Sequence, residues 1–149
     1  CQVRYYHDEI GYNMRIGGLE AASLTVKLKY LPDWNRRRRN IARKYQAAIK
    51  NPKIKMQVQP AGHDSVFHLF VITTENRDQL ISHLNERNIF PGLHYPVPCH
   101  LQKAYAGLGY KNGDFPHSEY LAAHCLSLPM YAELTDEEVD RVIQTLNSY

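Results

Sequence analysis

The sequence lacks several features that would place it in a simple class of protein. No apolar run approaches the ~20 residues that a membrane-spanning helix needs, and no signal-peptide pattern opens the chain. The cysteines Cys1, Cys99 and Cys125 are odd in number and have no CxxC spacing, which argues against a disulfide framework or a zinc ribbon. No P-loop, GxGxxG fingerprint, Ser-His-Asp order or internal repeat is visible. We therefore expect a cytoplasmic protein with reduced thiols and no membrane association.

The composition is that of an ordinary globular protein. The chain has 149 residues, of which 44% are hydrophobic and 22% charged, and this is enough for one domain with a real core. Its net charge of +3 is too small to indicate nucleic-acid binding by itself. The chain begins at Cys1 rather than Met, and its first residues do not resemble a natural amino terminus. We therefore expect a fragment of a longer protein.

The hydrophobic pattern of the first third predicts a loop and two helices. Residues 1–16 show no sustained period and are interpreted as a loop. Apolar and small residues then recur at three- and four-residue spacings from Gly18 to Tyr30, as on one face of a helix. Pro32 suits the first turn of a second helix, which extends to Lys50. The predicted buried stripe of that helix consists of Trp34, Ile41, Tyr45, Ala48 and Ile49.

The remaining two thirds predict a small α/β layer domain. KIKMQVQ alternates apolar and polar residues, which predicts a half-buried strand, and the continuous apolar run SVFHLFVIT predicts a central strand buried on both faces. NRDQLISHLNERNI is amphipathic and predicts a helix, whereas its prolines restrict FPGLHYPVP to a short strand and turn. Short helices are predicted around LQKAYAGL and HSEYLAAHCLSL, and LSLPMYAEL is interpreted as an extended segment. Thr135 with Glu138 forms a capping box that begins the last helix.

A first candidate site is the loop Gly11-Tyr12-Asn13-Met14-Arg15. Asn13 offers an amide donor and Arg15 a planar cationic fork, which together suit a phosphate or carboxylate. The helix that begins near Gly18 adds backbone N–H groups and a positive dipole end. The alternative is a capping loop in which these side chains only satisfy local carbonyl groups.

A second candidate site is the proline-rich segment GLHYPVPCHLQ, residues 92–102. It carries the polar rings of His94, Tyr95 and His100 directly after a predicted strand, where ligands bind in many α/β domains. The alternative is a structural corner whose histidines face water. A zinc site made of these two histidines, Cys99, and His124 or Cys125 lacks a recognised ligand spacing.

The run Arg36-Arg37-Arg38-Arg39, followed by Arg43 and Lys44, raises the question of a nucleic-acid surface. A helix spreads four consecutive residues around its circumference, so they cannot form one concentrated face. A solvated helix surface is therefore the favoured interpretation.

Six segments, taken together and in order, resemble the carboxyl-terminal portion of the DegT/DnrJ/EryC1/StrS family of sugar aminotransferases. The resemblance covers about Tyr5 to Leu146 with no large gap. A match to one such segment would be weak evidence for the family, whereas matches to six segments in the same order are highly specific evidence. The segments are GYNMRIGGLEAA, RRRRNIARKYQ, FHLFVI, RDQLISHLNERNI, GLHYPVPCHLQKAY and GDFPHSEYLAAHCLSLPMYAELTDEEV.

The resemblance implies a fold and an activity. The implied fold is α/β: the small carboxyl-terminal domain of a fold-type-I, pyridoxal 5'-phosphate (PLP) dependent aminotransferase, with helices packed on a short mixed sheet. Residues 1–17 would be an interface and active-site loop, 18–50 connecting helices and 51–149 the small domain. The implied enzyme is a homodimer, with its active site at the interface, that transfers an amino group, usually from glutamate, to a nucleotide-linked keto sugar.

The resemblance also implies roles for single residues. The family's Schiff-base lysine precedes the Gly-Tyr-Asn loop, and no lysine of this chain occupies that context, so the chain alone is predicted to be inactive. Asn13 matches the asparagine that reaches the partner subunit's PLP phosphate, and Arg15 matches the neighbouring arginine, predicted to bind an anionic cofactor or substrate group. The residues predicted to bind substrate are Tyr12, His94, Tyr95 and His100.

Two other hypotheses remain beside the aminotransferase. The first is a non-catalytic sugar-nucleotide binding or regulatory module that keeps the fold without the chemistry. The second is a nucleic-acid binder, which rests only on the arginine run.

Overall fold

A computed structural model describes residues 14–149, and the chain divides into two compact units, Cys1–Pro32 and Asp33–Tyr149. The predicted boundaries after residues 17 and 50 remain predictions. Two short 3₁₀ helices cover Cys99–Leu101 and Lys103–Leu108. The helices and strands of the described residues are α1 (Gly18–Leu28), α2 (Leu31–Ala48), β1 (Lys55–Met56), β2 (Phe70–Thr73), α3 (Arg77–Asn85), α4 (Pro116–His124), β3 (Cys125–Leu128) and α5 (Asp136–Asn147).

Helix α1 lies in the first unit, and the sequence predicted its beginning at Gly18 correctly. The Gly17 backbone N–H donates to Glu20 Oε2 at 3.1 Å, so a side-chain carboxylate satisfies one donor of the first turn. None of the residues of α1 is buried. Leu19 and Val26, which share the apolar face, are 91% and 57% exposed.

Helix α2 carries most of the stripe that the sequence predicted. Pro32 lies in its first turn, where a missing N–H costs no hydrogen bond. Ile41, Tyr45 and Ile49 are buried, and Trp34 is half-buried. The helix therefore packs on the sheet through positions three to four residues apart, as an amphipathic helix must.

The sheet is small, as expected, but it is not mixed. The strand order is β1-β2-β3, and both pairs are antiparallel. The expected strand in FPGLHYPVP is reduced to one antiparallel bridge between Gly92 and Ser127, because prolines cannot donate to a ladder. The third strand is instead β3, where the helix predicted for HSEYLAAHCLSL overlaps the extended segment predicted from Leu126, and the extended interpretation is confirmed for Leu126–Leu128. All four of its residues are buried, and pairing with β2 outweighs their local helical pattern.

The central position of β2 was predicted correctly, whereas its length and burial were not. The regular strand covers Phe70–Thr73 only, and Phe67, with φ of 50°, breaks the extended run that precedes it. Phe70 and Ile72 are buried, while Val71 and Thr73 are half-buried. One face of the strand therefore meets the core more deeply than the other.

The remaining helices close the core of the second unit. Leu80 and Leu84 of α3 are buried, as the amphipathic pattern predicted. The predicted capping box of α5 is confirmed: Glu138 N–H donates to Thr135 Oγ1 at 3.2 Å, and Thr135 N–H donates to Glu138 Oε2 at 2.8 Å. Among the described residues, no helix combines the length and the apolar character that crossing a bilayer requires. The buried side chains of α5 are Val139, Val142, Ile143, Thr145 and Leu146.

Candidate functional site

The candidate site is a cavity of about 440 Å³ in the unit Asp33–Tyr149. One wall is the proline-rich segment from His94 to His100, and the other wall is formed by Phe115, α4 and the first residue of β3. Most of the wall is apolar, with a few polar rings among the lining side chains. Small-molecule sites usually have this composition and volume.

His94 is held in the wall by a glycine and a serine. Gly92 and Ser127 exchange two backbone hydrogen bonds, of 2.9 and 2.8 Å. The His94 ring lies over Gly92, where an added Cβ would come within 2.5 Å of His94 Cε1. The ring is hydrogen-bonded through Nδ1 to Ser127 Oγ at 3.0 Å. A residue larger than glycine at position 92 would therefore displace the ring.

Tyr95 follows His94 and lies at the rim of the cavity. Its side chain is 73% exposed, and its ring contacts that of His94 edge-on, with a centroid distance of 5.4 Å. The peptide bond between the two residues is cis. The structure thus brings together two of the predicted substrate-binding residues, and their role in binding remains a prediction.

His100 lines the same cavity but is already engaged by the protein. Its side chain is 8% exposed, and its Nε2 lies 3.0 Å from Glu119 Oε1. Its ring also packs against Phe115 at a centroid distance of 4.8 Å. This arrangement shows how His100 stabilises the cavity wall, and the predicted contact of His100 with substrate remains untested.

Glu119 of α4 organises the loop beside the cavity. Its carboxylate accepts hydrogen bonds from the backbone N–H groups of Gly113 at 2.9 Å and Phe115 at 3.3 Å, in addition to His100. Gly113 has φ of 97°, which glycine adopts without strain. Burial acts to raise the pKa of Glu119, but the backbone bonds, with the bond and charge of His100, outweigh it and lower the pKa. Sequence reasoning missed this residue, although an acidic side chain in the first turn of a helix is a recognisable signal.

Both thiols in the described part of the chain line the cavity. Cys125 is buried and its Sγ donates to the His94 backbone carbonyl at 3.9 Å, whereas Cys99 is exposed. Within residues 14–149, no group of three or more His, Cys, Asp or Glu side chains is arranged to hold a metal ion. The structure therefore does not assemble the zinc set considered from the sequence.

The predicted anion loop falls largely outside the described residues. Tyr12 and Asn13 lie in the part that the structure does not describe, and Arg15 is an exposed residue in the segment before α1. The Gly17 N–H, one of the donors expected for an anion at this helix end, is bonded to Glu20. The roles of all three loop residues remain predictions.

A second cavity, of about 280 Å³, lies in the connection between β1 and β2. Two of its polar side chains bond within the protein: Gln59 Nε2 donates to the His63 carbonyl at 2.6 Å, and Asp64 pairs with Arg39 at 2.9 Å. The first cavity is taken as the candidate site because it is lined by His94, Tyr95 and His100, which the sequence predicted to bind substrate.

The lining of the main cavity does not include the lysine that a PLP site requires. No lysine lines the main cavity, and the half-buried Lys44 pairs with Asp140 at 2.8 Å. A Schiff base with PLP requires a lysine amine beside the cofactor. The position of the Schiff-base lysine ahead of the Gly-Tyr-Asn loop remains a prediction.

Comparison with protein families gives one consistent result. The model of the DegT/DnrJ/EryC1/StrS aminotransferase family matches residues 1–147. The match covers both candidate sites and all the helices and strands described above.

Individual relatives agree with the family match. "Erythromycin biosynthesis sensory transduction protein EryC1" of Saccharopolyspora erythraea is 44% identical over 146 residues, which are 97% of this chain and 40% of that protein. The "dTDP-3-amino-3,6-dideoxy-alpha-D-galactopyranose transaminase" of Aneurinibacillus thermoaerophilus is 41% identical over 139 residues, 93% of this chain and 38% of that protein. The crystal structure of S. venezuelae DesV in complex with a ketimine intermediate has 38% identity and a TM-score of 0.89, over 99% of this chain and 40% of that one. The chain thus spans about 40% of the length of relatives that it matches.

Proposed function

Because this chain belongs to the DegT/DnrJ/EryC1/StrS aminotransferase family, we propose that it is the carboxyl-terminal part of a PLP-dependent sugar aminotransferase. The enzyme transfers an amino group from glutamate to a keto sugar linked to a nucleotide. The observation that carries this proposal is the family match over residues 1–147. A relative named as a transaminase of a dTDP-linked amino sugar, 41% identical to this chain, supports the same class of substrate.

The cavity between residues 94–100 and α4 has properties that suit part of a nucleotide sugar. Phe115 and Leu121 supply apolar wall for the face of a sugar or base, while His94 and Tyr95 supply polar groups for its oxygens. Tyr95, at the exposed rim, contacts the part of the substrate nearer to solvent. His94, held deeper by Ser127, orients the part that enters the cavity.

Asn13 and Arg15 act on the cofactor rather than on the sugar. When bound in the complete enzyme, PLP serves as an electron sink for the carbon that gains or loses the amino group. Asn13 donates its amide hydrogens to the cofactor phosphate of the partner subunit, and Arg15 supplies positive charge beside it. The homodimer thereby completes each active site with a loop from the other subunit.

Replacement of Asn13 by alanine in the full-length polypeptide tests this proposal. Loss of a hydrogen bond to a charged phosphate costs roughly 1.5–3 kcal/mol, so we expect PLP to bind about ten- to a hundredfold more weakly. The PLP retained after dialysis measures the effect by absorbance, and circular dichroism checks that the fold is intact. Asn40→Ala, on the exposed side of α2, is the matched control and should retain PLP. An unchanged affinity of Asn13→Ala for PLP contradicts the role of Asn13. A wild-type full-length protein that binds no PLP contradicts the proposed aminotransferase activity.

A second function is a regulatory module that binds a sugar nucleotide without catalysis. It is favoured by one observation, the description of a relative 44% identical to this chain as a sensory transduction protein. The two functions differ in a transamination assay of the full-length polypeptide with glutamate and a dTDP-keto sugar. Amino transfer supports the enzyme, whereas tight binding of the nucleotide sugar without amino transfer supports the module.

A further inference from the structure

Ser127 is a buried polar residue in the middle of a buried strand. It lies in β3 opposite Val71 of β2 and is 3% exposed. Its neighbours along the strand, Leu126 and Leu128, belong to the hydrophobic core. Its hydroxyl group is directed to the cavity side, where it meets His94 Nδ1 at 3.0 Å. A buried hydroxyl in such surroundings is costly unless its hydrogen has an acceptor.

The direction of this hydrogen bond follows from the available acceptors. A serine hydroxyl can donate one hydrogen, and a neutral histidine ring has one nitrogen that donates and one that accepts. Among residues 14–149, His94 Nδ1 is the acceptor that the Ser127 hydroxyl meets. A Ser127 O–H that donates to Nδ1 requires the hydrogen of a neutral His94 ring to lie on Nε2.

Further contacts hold His94 in this orientation. The ring rests on Gly92, whose missing Cβ leaves the required space, and the His94 carbonyl accepts from Cys125 Sγ at 3.9 Å. His94 Nε2 makes no hydrogen bond with any residue of the described part, and the residue lines the cavity. Nε2 is therefore the ring nitrogen that is available to a ligand.

We propose that Ser127 is a positioning residue that holds His94 as its Nε2–H tautomer, so that His94 donates a hydrogen bond to an oxygen of the nucleotide sugar instead of accepting a proton. The proposal rests on the proposed function, because it takes a nucleotide sugar as the occupant of the cavity. Diphosphate and sugar oxygens are acceptors, and they match a fixed N–H donor. Gly92 has the same positioning role through the space it leaves.

The tautomer of His94 can be measured directly in the full-length polypeptide labelled with ¹⁵N in histidine. Two other histidines of the chain serve as internal references. His83 Nε2 lies 3.1 Å from the Thr145 carbonyl, so its hydrogen is on Nε2. His124 Nδ1 lies 2.8 Å from the Tyr120 carbonyl, so it carries a hydrogen on Nδ1. At alkaline pH, His94 should show an unprotonated Nδ1, as His83 does. A protonated Nδ1, as in His124, overturns the proposal.

Variants of Ser127 and Gly92 test the consequence for binding. Ser127→Ala removes the hydroxyl, and we expect a mixture of His94 tautomers and about three- to tenfold weaker binding of dTDP by calorimetry. Ser127→Thr keeps the hydroxyl and should restore the Nε2–H signature. Gly92→Ala keeps the hydroxyl but displaces the ring, and it should weaken dTDP binding to a similar extent. Ser148→Ala, which removes a hydroxyl that bonds the Thr145 carbonyl in α5, is the control and should bind dTDP as the wild type does.

Steady-state kinetics separate positioning from proton transfer. Ser127→Ala should raise KM for the nucleotide sugar with little change in kcat, because a fixed donor contributes to binding. A fall in kcat at unchanged KM means that the interaction is made only in the transition state, and it overturns the proposal. Failure of the proposed function is distinguishable, because the tautomer and dTDP binding are measured without turnover or PLP. The wild-type protein could show the Nε2–H tautomer and bind dTDP without catalysing transamination. This result would support the role of Ser127 and contradict only the proposed aminotransferase activity.

Discussion

Tyr45 illustrates how one side chain ties α2 to the strand that carries Ser127. Its ring is completely buried and packs edge-on against Phe70, with a centroid distance of 5.1 Å. Its hydroxyl donates to the Pro129 carbonyl, just beyond β3, at 3.0 Å. Burial raises the pKa of Tyr45, with smaller effects from the nearby Tyr131 and Glu138. The hydroxyl therefore remains protonated and continues to donate throughout the neutral and mildly alkaline range.

Replacement of Tyr45 by phenylalanine should lower the free energy of unfolding by about 1 kcal/mol, because the ring packing is kept and one buried hydrogen bond is lost. Urea unfolding of the chain measures the difference. Tyr105→Phe, at a side chain that is 50% exposed, is the control and should change the free energy of unfolding by less than about 0.5 kcal/mol. Equal stability of the two variants would mean that the bond to Pro129 contributes nothing.

Single residues also show where sequence reasoning succeeds and where it ends. His94 and Tyr95 could be predicted as site residues because polar rings within a proline-rich segment form a local pattern, and the structure places both at one cavity. Ser127 could not be predicted, because a serine among leucines has no signal until its partner is known. That partner is 33 positions away in the sequence. Glu119 and His100 are likewise 19 positions apart.

Among the elements, the connection that leads into α4 depends on one carboxylate. Glu119 accepts hydrogen bonds from Gly113, Phe115 and His100, so the loop folds back on the helix that follows it. These bonds favour the ionised carboxylate, and the pKa of Glu119 is lower than usual in spite of burial. The unfolded chain has no such partners and binds the proton more tightly. The stabilisation is therefore complete above the unfolded pKa of about 4.3 and is lost as the pH falls through the lower folded value.

Glu119→Gln should be less stable than the wild type near neutral pH and should lose less stability between about pH 5 and pH 3. Thermal unfolding followed across this pH range measures both effects. Asp136, whose pKa is lowered by a hydrogen bond from Arg37, also makes the protein less stable in acid. The stability of Glu119→Gln should therefore still fall as the pH decreases, but less steeply than that of the wild type. Glu133→Gln, at an exposed site, is the control and should follow the wild-type profile. Parallel profiles for Glu119→Gln and the wild type would contradict the assigned role of Glu119.

The boundary between α4 and β3 shows the limit of local pattern at the scale of an element. The sequence gives two overlapping predictions here, a helix over HSEYLAAHCLSL and an extended segment from Leu126, and in the structure the helix ends at His124. The next four residues pair with β2 and are all buried. Backbone pairing with an existing strand and complete burial of two leucines stabilise the extended form more than the helix would. Information about β2, over 50 positions earlier in the sequence, was needed to decide this.

In the molecule as a whole, the arginine run does not form one basic surface. Arg36 pairs with Asp33 within α2, Arg37 with Asp136 at 2.9 Å and Arg39 with Asp64 at 2.9 Å. These acceptors lie in α2, at the start of α5 and in the connection between β1 and β2. The positive charges are therefore distributed and largely matched by acids, as expected for four consecutive residues of a helix.

We expect the chain to bind duplex DNA weakly, with a shallow dependence on salt. Fluorescence anisotropy between about 50 and 200 mM salt measures that dependence, and a protein with several phosphate contacts would lose about a thousandfold or more in affinity over the same range. Arg36→Gln removes one positive charge of the run and should leave the weak binding unchanged. A steep salt dependence that Arg36→Gln reduces would restore the nucleic-acid hypothesis.

The sequence by itself determined the family, the α/β class, the beginnings of α1 and α5, and most of the buried stripe of α2. These features depend on residues that are close together in the chain, through helical periodicity, capping and short motifs, so they can be read from a linear pattern. The tertiary structure alone decided that the sheet is antiparallel, that Cys125–Leu128 is a strand, and that Ser127 and Glu119 hold His94 and His100. These features depend on contacts between distant residues, and the energy of such a contact exists only after the chain has brought its partners together.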